Sequence, residues 1–143
     1  MTENTRLIER LYECLRTNEW SPIGESLSPD VVTDAPGAPT MTGVPVFVEF
    51  AQAFKRGLPD SYIAPARWIE SGSTVVVIGA YRGTFTGTLP TPQGDVAGNG
   101  RSLDLPFADV FDIEAGRISR HRVYYDQMEF AAQLGLLPEP AQA

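Results

Sequence analysis

Proton transfer needs titrating or hydrogen-bonding groups held in a dry pocket, and a few residues of this chain are placed to supply them. His121 is the one histidine, a side chain suited to act as general acid or base or to hydrogen-bond a carbonyl. Alternate residues of a strand share a face, so His121 stands with Val123 and Tyr125, and Arg120 with Arg122, Tyr124 and Asp126. Val123 marks the first set as facing a pocket; exposure among the arginines is the other reading of His121. Asp109 interrupts the apolar run Pro106 to Ile113, between Ala108 and Val110. Desolvation penalises a charged carboxyl in an apolar cavity, so such a group can hold a proton and give it to a developing enolate. Alternatively Asp109 points outward, or pairs with Arg122 across a tight hairpin. Asp34 precedes Pro36 and Gly37, where an aspartate either begins a turn or offers a carboxylate from a short strand. Asp126 either assists the chemistry or caps a terminal helix, with Glu129 three residues on.

The elements that must position these groups can be read from periodicity. Leu7, Ile8, Leu11, Tyr12, Cys14 and Leu15 recur at spacings of three and four, the stripe of an amphipathic helix. Ser21-Pro22 starts a second, short helix with Ile23 and Leu27 inward. Ser28-Pro29-Asp30 ends it before a brief strand at Val31-Val32-Thr33. A third helix follows Thr42-Gly43, with Val46, Phe47, Phe50, Ala53 and Phe54 on its apolar face, and stops at Gly57-Leu58-Pro59-Asp60. From there the period changes to two. Tyr62 to Ile69, Thr74 to Arg82, Leu103 to Ile113 and Arg117 to Tyr125 are strands, the last two joined by a tight turn at Glu114-Ala115-Gly116. Leu89 to Gly100, rich in Gly and Pro, reads as a loop or flap. Asp126 to Gly135 closes the chain as a short helix. This order predicts an α+β fold: a bent antiparallel sheet with helices on one face, in one domain spanning residues 1–143.

Composition excludes several other classes. The chain has 143 residues, 18 acidic and 11 basic, for a net charge of −7. That balance argues against binding nucleic acid or an anionic membrane surface. One Cys cannot close an internal disulfide, and one His with one Cys cannot build the usual zinc site, so no metal is expected. Cys14, on the first helix's stripe, reads as a buried thiol. No phosphate-cradling loop, nucleophile elbow or metal-binding helix motif is present, and a chain of this size can bury core enough for a cofactor-free enzyme to be physically possible. No apolar run approaches the ~20 residues of a membrane span, and residues 1–6 lack the features of a signal peptide, so a cytoplasmic protein is expected. Trp20, Phe47, Phe50, Phe54, Trp68 and Tyr81 read as core or pocket wall, and suit a flat polycyclic or isoprenoid-like ligand. Tyr124 and Tyr125 read as packing residues with a polar tip.

The element order, the segment from Leu105 to Asp126 with its "FADVF", "GRI" and "HRVYYDQ" runs, and the ending Gln133-Leu134-Gly135-Leu136 resemble the nuclear transport factor 2-like superfamily. Within it, the chain is most similar to the SnoaL-like branch of polyketide cyclases. The resemblance implies a cone, with helices covering a curved sheet around a deep apolar pocket. It also implies cofactor-independent aldol cyclisation or isomerisation of an apolar small molecule, and a homodimer formed through the sheet. Non-catalytic ligand binding and epoxide hydrolysis occur on the same fold. Asp109 stands where ketosteroid isomerases carry a protonated aspartate. Asp34 lies one position from the place of their base and Tyr12 one position from that of their oxyanion-donating tyrosine. Val123 stands where the related cyclases and epoxide hydrolases place a catalytic aspartate in the last strand. The epoxide hydrolase Arg–Asp pair falls near Arg82 and Thr84, which leaves its carboxylate unmatched. The expected acid/base pair is Asp109 with His121, assisted by Asp34 or Asp126, with Tyr12 or Tyr125 polarising a carbonyl. Trp20, Phe50, Phe54, Trp68, Tyr81, Val123 and Tyr125 would touch the substrate.

Overall fold

A computed structural model describes residues 2–137. Helix α1, Glu3–Thr17, begins at Thr2, whose hydroxyl accepts from the Thr5 N–H, and ends on Asn18 in the left-handed conformation. Its Leu7, Ile8, Leu11 and Tyr12 are buried, as the spacing of three and four requires. Ser21–Glu25 forms one 3-10 turn with Pro22 in its first positions. Strand β1, Leu27–Asp34, follows directly, longer than the three residues expected. Ser28-Pro29-Asp30 lies inside it rather than ending a helix. The ladder between β1 and its neighbour shifts register between Leu27 and Val32, so Pro29 sits at an irregularity where a missing N–H costs no ladder bond.

After β2, Met41–Thr42, helix α2 runs Val44–Gly57 with Pro45 in its first turn. Four long strands come next, with a short pair inserted among them: β3 Tyr62–Ser71, β4 Thr74–Thr84, β5 Thr88–Thr91, β6 Gly94–Ala97, β7 Ser102–Glu114 and β8 Arg117–Tyr125. Helix α3, Gln127–Gln133, ends the described chain. The main sheet has the order β2-β1-β8-β7-β4-β3. Its pairs are antiparallel except β1 with β8, which run parallel. The result is the α+β architecture expected, a large curved sheet with helices against it. Ala115 and Gly116, with φ of 50° and 75°, make the two-residue turn between β7 and β8, since positive φ at both positions matches the strand twist.

The stretch expected as a loop or flap is instead the β5–β6 hairpin, with Leu89 paired to Val96. Its two prolines and three glycines hide this alternation, yet Leu89 is buried against the C-terminal end of α2. Gly57 and Gly87 allow the close approach: the Gly87 N–H reaches the Gly57 carbonyl at 3.0 Å, and a Cβ on Gly87 would lie 1.9 Å from the Arg56 carbonyl oxygen. Two apolar clusters result. One packs α1 and Phe47 of α2 on Val75, Val77, Phe111 and Ile118; the other gathers Leu58, Phe85, Leu89, Leu103, Leu105 and Leu134.

Candidate active site

Strand β7 buries every second residue from Leu103 to Ile113, and Asp109 falls on that inward set beside Phe107 and Phe111. Register pairs Asp109 with Val123 and Phe111 with His121. Asp109 is 2% exposed, and both of its carboxyl oxygens have partners. Oδ1 lies 2.7 Å from His121 Nε2, and Oδ2 accepts the Tyr12 O–H at 2.6 Å. Tyr12 arrives from α1, 97 residues away in sequence. One carboxyl thus joins one helix and two strands.

The surroundings of this cluster are aromatic. Phe111 stacks on the imidazole of His121 with centroids 4.7 Å apart and an interplanar angle of 8°. Phe47 meets the same ring edge-on at 5.9 Å, so two aromatic rings pack against the imidazole. Burial pushes the Tyr12 hydroxyl well above the ordinary tyrosine range, and the charge and hydrogen bond of Asp109 push it further. Tyr12 therefore remains an O–H donor to the carboxylate.

The cluster forms part of the wall of an open-ended cavity of about 120 Å³. Of the expected site residues, Tyr12, Phe50, Phe54, Tyr81, Asp109, His121, Val123 and Tyr125 all line it. The alternation expected for β8 is the one observed: His121, Val123 and Tyr125 share the cavity face. Tyr81 donates to Ser61 Oγ at 2.6 Å, and burial raises its hydroxyl to about 12. Burial likewise raises that of Tyr125.

The other expected residues lie elsewhere. Asp34 sits on the opposite face of the sheet. Its Oδ2 accepts from Arg120 Nη2 at 2.6 Å and its Oδ1 from the Thr40 hydroxyl at 2.8 Å. These bonds, Arg120's foremost, hold its carboxyl below the usual range. Thr33, not Asp34, takes the inward position of β1, because alternation sends the next residue out. Asp126 caps α3, accepting from the N–H groups of Met128 at 2.8 Å and Glu129 at 3.2 Å. Trp20 and Trp68 pack against the first apolar cluster, and Trp68 meets the far side of Tyr12 at 6.2 Å. Arg122 pairs in register with Val110, not Asp109, and reaches Asp112 on the outer face at 3.4 Å. A register shift between Asp112 and Ile113 displaces the pairing expected from a regular hairpin. Arg82 binds Asp104 at 3.1 Å on the exposed face, outside the cavity.

Lining residues outside the expected set include Lys55, Ser61 and Phe130. Lys55, the one lysine, donates to the Ser61 carbonyl at 2.8 Å, and burial lowers its pKa. A signal for it existed, since Lys55 follows Ala51 by four and Phe47 by eight, on the apolar stripe of α2. Phe130, from α3, closes against Phe54 at 5.8 Å. Ser61 gave no signal, because only the docking of Tyr81 brings its hydroxyl into use. Together the residues offer a recessed carboxylate, two donors fixed on it, and an apolar aromatic chamber. That arrangement can move a proton to or from an apolar molecule held in the cavity.

Solved structures share this fold. An NTF2-like protein of unknown function from Burkholderia pseudomallei matches with 26% identity and a TM-score of 0.77, over 94% of this chain and 98% of its own. A candidate polyketide cyclase from Xanthomonas campestris pv. campestris matches with 25% identity and a TM-score of 0.80, over 92% and 96%. TerC, co-crystallized with polyporic acid, matches with 23% identity and a TM-score of 0.76, over 94% and 99%. No curated protein matches significantly. The family model for SnoaL-like polyketide cyclase matches residues 5–134, nearly the whole chain and all the cavity-lining residues named above, and the chain belongs to that family.

Proposed function

We propose that the protein is a cofactor-independent cyclase or isomerase that moves a proton on an apolar, carbonyl-bearing small molecule, with Asp109 as the acid/base. The observation that carries this reading is the Tyr12–Asp109–His121 cluster in the wall of an aromatic cavity. Family membership and the polyporic acid complex of TerC support a ring-bearing ligand. The related cyclases' aspartate position holds Val123, yet Val123 pairs in register with Asp109. The carboxylate is thus supplied from the adjacent strand on the same face.

In this mechanism the substrate lies against Phe50, Phe54 and Tyr125, with the carbon beside its carbonyl over Asp109. The C–H bond breaks, its proton passes to the Asp109 carboxylate, and its electron pair becomes an enolate. In an aldol closure the enolate carbon bonds to a second carbonyl carbon of the same molecule, and the resulting alkoxide takes the proton back. In an isomerisation Asp109 returns the proton to a different carbon. Tyr12 and His121, donating to the carboxylate, hold it in one orientation throughout, and the apolar wall strengthens each charge interaction.

Deuterium exchange tests the reading without knowledge of the natural substrate. 2-Tetralone, an apolar bicyclic ketone with exchangeable protons beside its carbonyl, is incubated with the protein in D₂O and followed by NMR. The wild type should accelerate exchange, and Asp109→Asn should slow it by about 100- to 10,000-fold, the usual worth of a general base, with the thermal unfolding curve unchanged. Equal exchange by both proteins overturns the assignment. A non-catalytic binding role has one observation in its favour, that both Asp109 oxygens already have protein partners. Binding of 2-tetralone, read by quenching of tyrosine and tryptophan fluorescence, with no acceleration of exchange would establish it.

A further inference from the structure

Among the described residues, two buried side-chain polar atoms lack a hydrogen-bond partner: Thr33 Oγ1 and His121 Nδ1. They are neighbours. The parallel pairing of β1 with β8 sets Thr33 directly beside His121, and both side chains point to the buried face. Thr33 is 1% exposed and His121 8%. An unsatisfied buried hydroxyl or imidazole nitrogen is costly, and two such atoms on paired residues are each other's nearest remedy. No direct hydrogen bond joins them, and one ordered water can bridge two such polar groups.

We propose that Thr33 is the positioning residue of the site: through one buried water, its hydroxyl engages His121 Nδ1 and fixes the imidazole in the Nε2–H tautomer. The chemistry has a definite sense. With Asp109 as the acceptor of the 2.7 Å contact, His121 presents a hydrogen at Nε2, which in the neutral ring leaves Nδ1 as a lone-pair acceptor. The Thr33 O–H donates to the water, and the water donates to Nδ1. Both ring nitrogens are then committed, Nε2 to the carboxylate and Nδ1, through the water, to strand β1. Phe111 and Phe47 pack against the ring. It follows that His121 orients Asp109 and does not itself take a proton from the substrate, a consequence that rests on the acid/base reading above. Tautomer control by Thr33 stands apart from it.

Because the chain has one histidine, the untagged protein labelled with ¹⁵N-histidine gives a single ring spin system. Long-range ¹H–¹⁵N spectra are recorded for wild type, Thr33→Val and Thr33→Ser. Valine matches threonine in shape and lacks the hydroxyl; serine keeps it. In the wild type, the neutral ring should appear protonated at Nε2, with Nδ1 as a hydrogen-bonded acceptor. Thr33→Val should move both nitrogens toward the average of two tautomers, and Thr33→Ser should restore the wild-type spectrum. Superimposable spectra of wild type and Thr33→Val, or an Nδ1–H tautomer in the wild type, overturn the proposal. The spectra are independent of turnover. A shifted spectrum beside full activity of Asp109→Asn keeps the role of Thr33 and removes the catalytic one, and the reverse pattern does the opposite.

Discussion

A tyrosine that donates a hydrogen bond to a carboxylate inside an apolar wall is held in its neutral form, and the same holds for one merely buried. Tyr12 and Tyr81 are both in this position. For Tyr81 the folded hydroxyl titrates at about 12 against 10.0 in the unfolded chain. The raised value means that the stability it contributes is complete below the unfolded value and disappears as pH rises through the folded one. At 1.36 kcal/mol per unit this amounts to roughly 1–3 kcal/mol. Urea denaturation followed from about pH 9 to about pH 12 should show the midpoint falling, and Tyr81→Phe should make the decline shallower. An unchanged decline would mean that the Tyr81 hydroxyl is not enclosed as described. At this scale the sequence already named the participants Asp109, His121 and Tyr12. It left open which way Asp109 points, because Arg122 competes for it if the β7–β8 hairpin is regular.

Helix α3 shows how one aspartate can satisfy two readings of a sequence and only one geometry. Asp126 follows the last residue of β8, where β-alternation alone would set it on the outer face with Arg122 and Tyr124. Its carboxylate instead turns along the backbone to bind the first N–H groups of α3, which have no partner within the helix. Asp126→Ala should therefore lower stability by about 1 kcal/mol and leave 2-tetralone exchange unchanged. A variant that unfolds like wild type but loses exchange would return Asp126 to the chemistry. The β5–β6 hairpin carries a similar lesson. Gly and Pro suggest a loose segment, but Gly57 and Gly87 serve contact between backbones, and that purpose is invisible until α2 and the hairpin are placed together.

The whole molecule has two faces with different duties. The inner face of the sheet carries the cavity, and the outer face presents Ile69, Ile78 and Tyr124, exposed at 39%, 40% and 56%. Adjacent rows of the ladder bring Val76 and Val110 beside Ile69, and Ala108 between Ile78 and Tyr124. We propose that two copies of the chain meet through this apolar strip, flanked by the Arg120–Asp34 and Arg82–Asp104 pairs. Light scattering should give twice the 15.6 kDa of one chain, and Ile78→Lys should shift the mass toward a single chain. A wild type already at the single mass excludes the dimer. Among the described residues no helix is long and apolar enough to cross a membrane.

Periodicity alone determined the elements that matter most: the buried stripe of α1, the start of α2 at Gly43, the four long strands, the cap of α3 and the inward set His121, Val123 and Tyr125. Each depends on near neighbours in sequence, so each is written locally. The parallel pairing of β1 with β8, the slip that parts Arg122 from Asp109, and the reach of Tyr12 across 97 residues were decided only in three dimensions. No local pattern encodes them. They are set by which packing buries the apolar stripes while giving the Asp109 carboxyl its two donors, and that balance exists only once the whole sheet has closed around the cavity.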